Sequence, residues 1–364
     1  MLTTLVQTFQ RKNKEMTSLD SNKVILGLSG GVDSTAAALL LKEKGLEVIG
    51  LFLDMTGKSK GEMKSAEQAA KELNIPFVYK DASKEFSDKV VENFTQEYSC
   101  GRTPNPCVIC NPLVKFQLLL DAADQMNAAF IATGHYARTY FDEDLSAWFI
   151  RKGANKKKDQ SYTLYRLPQK AISRLIMPLG EISHKDHARA LLTEKALSNA
   201  DLRDSQEICF IGKGDNYINY LKADGVESPP GNFIDGEGNI LGTHKGIIYY
   251  TIGQKKGLGD SFGRPMYVQN INPEANTVTL SENECDLFKF RVVSKDNIFN
   301  LPFEGLKVEA KVRYAAKPAS AFIRQIEGNK IEAIFYEPQR APSPGQSIVF
   351  YLGDFVLGGG IIDD

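Results

Sequence analysis

Residues 24–35 read Val24-Ile25-Leu26-Gly27-Leu28-Ser29-Gly30-Gly31-Val32-Asp33-Ser34-Thr35. The first five residues form a short apolar run of the kind that makes a buried strand, and a helical pattern starts at once after Asp33. Between them, paired glycines let the backbone turn tightly and approach an oxyanion. Ser29, Ser34 and Thr35 add hydroxyls at a helix N-terminus that already favours negative charge, so a pyrophosphate is the natural occupant. The stretch lacks G-x-x-x-x-G-K-[ST] and the later glycines of G-x-G-x-x-G, which argues against γ-phosphoryl transfer and dinucleotide binding. A plain Gly-Gly turn with a Ser/Asp helix cap is the non-functional alternative.

Working outward, the helix is expected over Ser34–Lys44, followed by the strand run VIGLFL at 48–53, a βαβ unit. Helical EMKSAEQAAKEL, the run PFVY at 76–79, a helix through Tyr98, another from Leu113 to Met126, and AFIAT at 129–133 continue the series. This predicts an α/β fold with a doubly wound parallel sheet whose ligands sit beyond the carboxyl ends of its strands. Beyond Phe210, turn-rich SPPGNFIDGEGN and short alternating segments such as KVEAKVRY and QSIVFYL predict two smaller β-rich modules, the last barrel-like. The expected division is a leader at 1–22, a catalytic domain at 23–210, a central β-rich module at 211–280 and a barrel-like module at 281–364. The leader lacks the order of a secretory signal, and Met16 is an alternative start to Met1.

The 364 residues are 42% hydrophobic and 24% charged, the composition of an ordinary globular protein. A formal charge of -1 argues against a globally basic nucleic-acid coat, although RKGANKKK at 151–158 concentrates five basic residues with no acidic one. No run approaches the roughly 18 consecutive apolar residues of a membrane span, so no membrane association is expected. Five cysteines build no disulfide framework and fit a reducing, cytoplasmic setting.

Two of those cysteines form the C-x-x-C of Gly101-Arg102-Thr103-Pro104-Asn105-Pro106-Cys107-Val108-Ile109-Cys110-Asn111. The prolines are expected to deny a regular helix until about Leu113, leaving Cys110 near a helix N-terminus, where the dipole favours a thiolate nucleophile. Structural zinc lacks a second C-x-x-C or a His pair. Cys209, in an apolar run, reads by itself as a buried inert thiol, and Cys100 and Cys285 read as structural thiols.

SGGVDS at 29–34 resembles the pyrophosphatase (PP) loop of the N-type ATP pyrophosphatases. Taken with GRTPNPCVICN, ATGHYAR at 132–138, KDQSY at 158–162, DSQEICFIG at 204–212, YYTIGQKKGLG at 249–259 and Arg313-Tyr314, in this order, it resembles the tRNA-specific 2-thiouridylase family from about Lys23 to the C-terminus.

The resemblance implies that ATP adenylates the O2 of a tRNA wobble uridine and that sulfur then attacks C2. It implies ATP contacts at Gly27, Leu28, Ser29, Gly30, Gly31, Val32, Asp33, Ser34, Leu53 and Gly134, with Mg²⁺ at Asp33. It implies Cys110 as the nucleophile, Cys209 as the persulfide carrier, and a Cys110–Cys209 disulfide after transfer. Asn105, Pro106 and Cys107 would border the target base, while His135, Lys158, Asp159, Gln160, Arg313, Tyr314 and Gln346 would contact the tRNA. A cysteine desulfurase or sulfur-relay protein would supply the sulfur.

Cys107 departs from the family, where Asp is common, and brings redox and metal chemistry in place of a carboxylate. Pro112 stands where Lys is frequent. Cys107, Cys110 and Cys209 would therefore also serve as ligands in a second mechanism, in which a [4Fe-4S] cluster holds the sulfide. A PP-loop amide ligase or synthetase would use the same loop, and so would a tRNA-binding protein that senses nucleotide without catalysis. Both leave Cys110 and Cys209 without a role.

Overall fold

The structure, a computed structural model, describes residues 19–184, 186–202, 208–212, 214–259 and 262–363. The expectations for residues 1–18, including a start at Met16, lie outside the described residues, as do Asp204 to Glu207 of the DSQEICFIG stretch. The chain divides into two compact units. One holds the described residues through Lys89, Cys107–Gln206 and Asp354–Val356; the other holds Val90–Pro106, the described residues from 208 to Gly353, and 357–363.

The first unit is built on a parallel sheet of five strands: β1 (Asp20–Gly27), β2 (Glu47–Asp54), β3 (Phe77–Asp81), β4 (Ala128–Ala132) and β7 (Leu175–Ile176), in the order β3-β2-β1-β4-β7. The central strand pairs Val24 with Val48 on one side and with Phe130 on the other. Alternation along β1 sets the layers. Val24 and Leu26 join Ala36, Ala37 and Leu41 of helix α1 (Val32–Glu43) in one core, whereas a Cβ at Gly27 would lie 3.7 Å from Leu119, on a helix of the opposite face. The doubly wound expectation holds, and β1 begins at Asp20, ahead of the expected run at Val24. A hairpin of β5 (Ala137–Asp142) and β6 (Ala147–Lys152) also belongs to this unit.

The helix carrying Leu119 corrects one expectation. It starts at Pro106 instead of Leu113 and runs to Gln125, with a π turn at Asn111–Lys115. Proline at the first helical position costs nothing, because its missing N–H had no intrahelical partner to meet. Pro112 is different. It cannot donate to the carbonyl four residues back, and the wider turn absorbs the break without ending the helix. By length and composition this twenty-residue helix is apolar enough to cross a membrane. Its apolar side chains serve the core instead: Val108, Val114, Phe116, Leu119, Leu120 and Ala123 are buried, while Gln117, Asp121 and Asp124 are exposed.

The second unit contains a four-stranded sheet, β10 (Tyr267–Asn272), β11 (Thr277–Ser281), β8 (Gly231–Ile234) and β9 (Ile240–His244), around Phe233, Val268, Val278 and Leu280. It also contains a closed barrel of six antiparallel strands: β12 (Phe288–Phe299), β15 (Ile331–Arg340), β14 (Ala319–Gln325), β13 (Gly305–Lys311), β16 (Ser347–Leu352) and β17 (Phe355–Ile362), closed by β12 on β17. Inward residues such as Val308, Ala310, Ile323, Ala333, Ile348 and Phe350 fill it. The barrel-like expectation for the last segment is met.

Candidate active site

Strand order places β1 between β2 and β4, so the crevice beyond its carboxyl end is the place where loops from β1 and β4 meet. Gly30 makes the turn there with φ +77. A Cβ on it would stand 2.5 Å from the Ala66 nitrogen, so helix α2 (Lys60–Glu72) packs directly on glycine backbone. Hydroxyls then knit the loop. The Ser29 amide donates to Ser34 Oγ at 3.2 Å, the two serine Oγ atoms lie 3.0 Å apart, and Thr35 Oγ1 donates to the Gly31 carbonyl at 2.9 Å.

Gly134, just past β4, lies against the start of α1, where a Cβ would be 2.9 Å from both the Asp33 carbonyl and the Ser34 amide nitrogen. Only glycine lets the two loops come this close. The resulting cradle of glycine backbone, serine hydroxyls and a helix N-terminus fits a nucleotide's phosphates. Leu53, half-buried, is the penultimate residue of β2 on the same edge of the sheet.

Sequence reasoning gave Asp33 no protein partners, and the structure supplies two. Asp33 Oδ1 accepts from Tyr136 Oη at 2.7 Å and from Lys158 Nζ at 3.3 Å, and that ammonium lies 4.7 Å from the centre of the Tyr136 ring. The KDQ segment is held in place by its own members. Gln160 Oε1 accepts from the Tyr136 amide at 2.9 Å, and Asp159 accepts from the Gly153 and Ser161 amides at 2.9 and 3.2 Å. Thus ATGHYAR and KDQSY converge with SGGVDS at one carboxylate.

Asn199 was not singled out from the sequence. Buried in a short 3₁₀ turn at Ser198–Asp201, it donates to the Gly30 carbonyl and lies 3.3 Å from Ser65 Oγ. It braces the loop from behind, and its 169-residue separation from Gly30 left no local pattern to read.

His135 is partly buried, its Nδ1 2.8 Å from Thr133 Oγ1. Burial, with a smaller contribution from the Lys115 ammonium, pushes its pKa down to about 3, so the ring is neutral at physiological pH.

In the first unit Cys107 is exposed and Cys110 is buried at 7% exposure, while Nδ2 of the neighbouring Asn111 side chain donates to the Thr163 carbonyl at 2.9 Å. Among the described residues no three His, Cys, Asp or Glu side chains are grouped to hold a metal ion.

In the second unit Cys209 is exposed, against the expectation of a buried inert thiol. Its neighbours explain the difference: Ile208, Phe210 and Ile211 pack on the Phe94, Tyr98, Leu221 and Ile248 cluster, and Cys209 faces out between them. Cys100 and Cys285 are exposed too, which removes core packing as their role. Arg313 donates to the Ile252 and Ala341 carbonyls at 3.0 and 2.7 Å, Gln346 donates to the Thr103 carbonyl at 2.7 Å, and Tyr314 is 41% exposed. Asn105 is half-buried and Pro106 buried in this unit.

A parallel α/β sheet with a glycine-serine phosphate cradle at its switch point defines a nucleotide-binding domain of the PP-loop class. In keeping with this, the tRNA methyl transferase HUP domain matches residues 22–213, the tRNA methyl transferase PRC-barrel domain residues 218–282, and the aminomethyltransferase beta-barrel domain residues 289–362. The chain is 46% identical to tRNA-specific 2-thiouridylase MnmA 1 of Caldanaerobacter subterraneus subsp. tengcongensis, over 94% of this chain and 98% of that protein. It is 42% identical to tRNA-specific 2-thiouridylase MnmA of Clostridioides difficile, again over 94% and 98%. The chain belongs to the tRNA-specific 2-thiouridylase family.

Proposed function

We propose that this protein is a tRNA 2-thiouridylase, a sulfurtransferase that uses ATP to adenylate the C2 oxygen of a wobble uridine and replaces that oxygen with sulfur. The observation that carries this reading is the convergence of SGGVDS, Gly134, Tyr136 and Lys158 at the carboxyl edge of β1, in a chain that matches thiouridylases along almost its whole length. Two of the matching domains are described as methyl transferase domains. A hydroxyl-lined helix N-terminus, however, is suited to a triphosphate and to releasing pyrophosphate.

In this reading the Gly30–Ser34 backbone and the Ser29 and Ser34 hydroxyls hold the phosphates, Leu53 borders the adenine, and Asp33 binds Mg²⁺. Mg²⁺ held at Asp33 would supply charge neutralisation at the phosphates. Lys158, held beside Asp33, provides the nearby positive charge that the loop lacks for want of a Walker lysine. Cys209 accepts sulfur from a cysteine desulfurase or relay protein as a persulfide. The terminal sulfur attacks C2, AMP leaves, and the Cys110 thiolate attacks Cys209 Sγ, leaving the sulfur on the uridine and a Cys110–Cys209 disulfide. His135, neutral, contacts the tRNA through a hydrogen bond and not as a cation. Asn105, Pro106 and Cys107 flank the flipped base; Asp159, Gln160, Arg313, Tyr314 and Gln346 shape the surfaces that receive the tRNA. The cytoplasm is the expected compartment. The persulfide route needs only Cys110 and Cys209.

Incubation with unmodified tRNA, ATP, Mg²⁺, cysteine and a cysteine desulfurase, read by nucleoside mass spectrometry, tests the proposal. The expected result is 2-thiouridine from iron-free protein, abolished in Cys110→Ser and Cys209→Ser while tRNA binding persists. No thiolated product, aerobically or anaerobically, overturns it; product only from iron-loaded protein replaces the persulfide route with the cluster.

A further inference from the structure

Cys107 and Cys110 both lie in the first turns of the helix that begins at Pro106. On an α-helix, Cα atoms three positions apart are separated by about 5 Å, which falls within the range a disulfide spans. The two thiols differ in access: Cys107 is exposed and Cys110 is 7% exposed. Between them Val108, 1% exposed, fixes the turn to the core. Regular helical bonding resumes only at Phe116, beyond the π turn at Pro112, so adjustment of the first turn on closing a disulfide is confined to the residues before it.

Resting on the thiouridylase reading, we infer that Cys107 is a resolving thiol that clears the spent enzyme. The Cys107 thiolate attacks Cys110 Sγ in the Cys110–Cys209 disulfide. A Cys107–Cys110 bond forms, the Cys110–Cys209 bond breaks, and Cys209 departs as the thiolate. The proton lost by Cys107 is balanced by the one Cys209 takes up, and the two-electron oxidation stays within the protein. A solvent thiol or dithiol then reduces the new disulfide by attack at the exposed Cys107 sulfur, and is itself oxidised to a disulfide. Cys209 is thereby restored to accept the next sulfur before any external reductant arrives. A carboxylate at position 107 has no access to this route.

A single turnover without reductant, quenched in acid, alkylated and mapped as non-reduced peptides, tests the inference. Wild-type protein is expected to end with Cys107 linked to Cys110 and with Cys209 alkylated. Scored per thiouridine formed, Cys107→Ser and Cys107→Asp proteins are expected to retain the Cys110–Cys209 link, with Cys209 alkylation lower by about tenfold or more. An arm independent of activity uses Cys209→Ser protein and oxidised glutathione, where closure of a Cys107–Cys110 disulfide is expected. The inference fails if wild-type thiolation ends on Cys110–Cys209 with Cys107 alkylated, or if Cys209→Ser takes glutathione on Cys107 without closing the bond. A wild-type protein that makes no thiolated tRNA refutes the underlying reading instead, a result distinct from either.

Discussion

Around Gly30 the chain is fixed by directed bonds and by contacts too close for a side chain: Ser65 Oγ donates to its carbonyl at 3.0 Å, Asn199 donates to the same atom, and α2 lies on its bare Cα. Around Cys209 the fixing is of another kind. Phe210 stands edge-on to Phe94 and to Tyr220, each at 5.1 Å between ring centres, with Ile208 and Ile211 in the same cluster. Stabilising developing charge calls for donors that stay in place, because reorienting them during the reaction costs what they would contribute. In the proposed reading Cys209 carries the persulfide and must be reachable by a donor protein, and packing its neighbours while leaving Cys209 exposed suits that. The two regions should therefore fail separately when altered.

The largest separation is expected from Gly30→Ala. A Cβ 2.5 Å from backbone, at φ +77, forces the loop off α2, and ATP affinity should fall by about 100-fold or more, measured by calorimetry. The rate at which Cys209 reacts with iodoacetamide should stay as in the wild type. ATP binding that survives this substitution would remove the loop from the nucleotide site.

Asn199 tests the same region through a smaller term. Asn199→Ala leaves the Gly30 carbonyl short of a buried donor and should cost about 1–3 kcal/mol in urea unfolding, with a parallel loss of ATP affinity. Asn199→Asp should be worse than Ala, since a carboxylate would face the Gly30 and Ser65 carbonyls, which also accept. An Asn199→Ala protein as stable and as tight for ATP as the wild type would show that the amide does no bracing.

Phe210→Ala addresses the other region. The ring is only half-buried, so roughly 1–2 kcal/mol of stability should go, below the usual cost for a fully buried Phe. Sulfur transfer should slow while ATP affinity is unchanged, the converse of the Gly30 result. If ATP affinity falls as well, the two regions are not independent.

Much of this was legible in advance, and the exceptions share a cause. The strand, glycine turn and helix at 24–35 are local patterns, and so are the alternating strands of the barrel. What escaped depends on chain neighbours far away or on competing local preferences. Pro104 and Pro106 read as denying a helix before Leu113, yet Pro106 takes the first helical position, and burial of Val114, Phe116 and Leu119 carries the helix past Pro112 through a π turn. Ile-Cys-Phe around Cys209 reads as a buried run, but the backbone sends the cysteine away from the face its neighbours occupy. Tyr136 sat inside a recognised motif without a role until its hydroxyl was found on Asp33.

The smallest effect on function concerns His135, which lies beside the loop region. With the pKa lowered to about 3 by burial and then by Lys115, the folded protein binds no proton here at pH 5–8, whereas the unfolded chain takes one up near pH 6.5. The unfolded state binds more protons between these values. Stability contributed by the neutral ring is therefore fully present above pH 6.5 and is lost as pH falls toward 3, by at most about 1.4 kcal/mol per unit. His135→Gln should flatten that slope in urea melts at pH 4.5 and 7. A ring whose pKa is pushed down to about 3 by burial does not titrate in the working range. The part of tRNA affinity that depends on His135, taken as the difference between wild type and His135→Gln, should then vary by less than about twofold between pH 5.5 and 7.5. A difference that grows severalfold on acidification would mean that the ring binds phosphate as a cation.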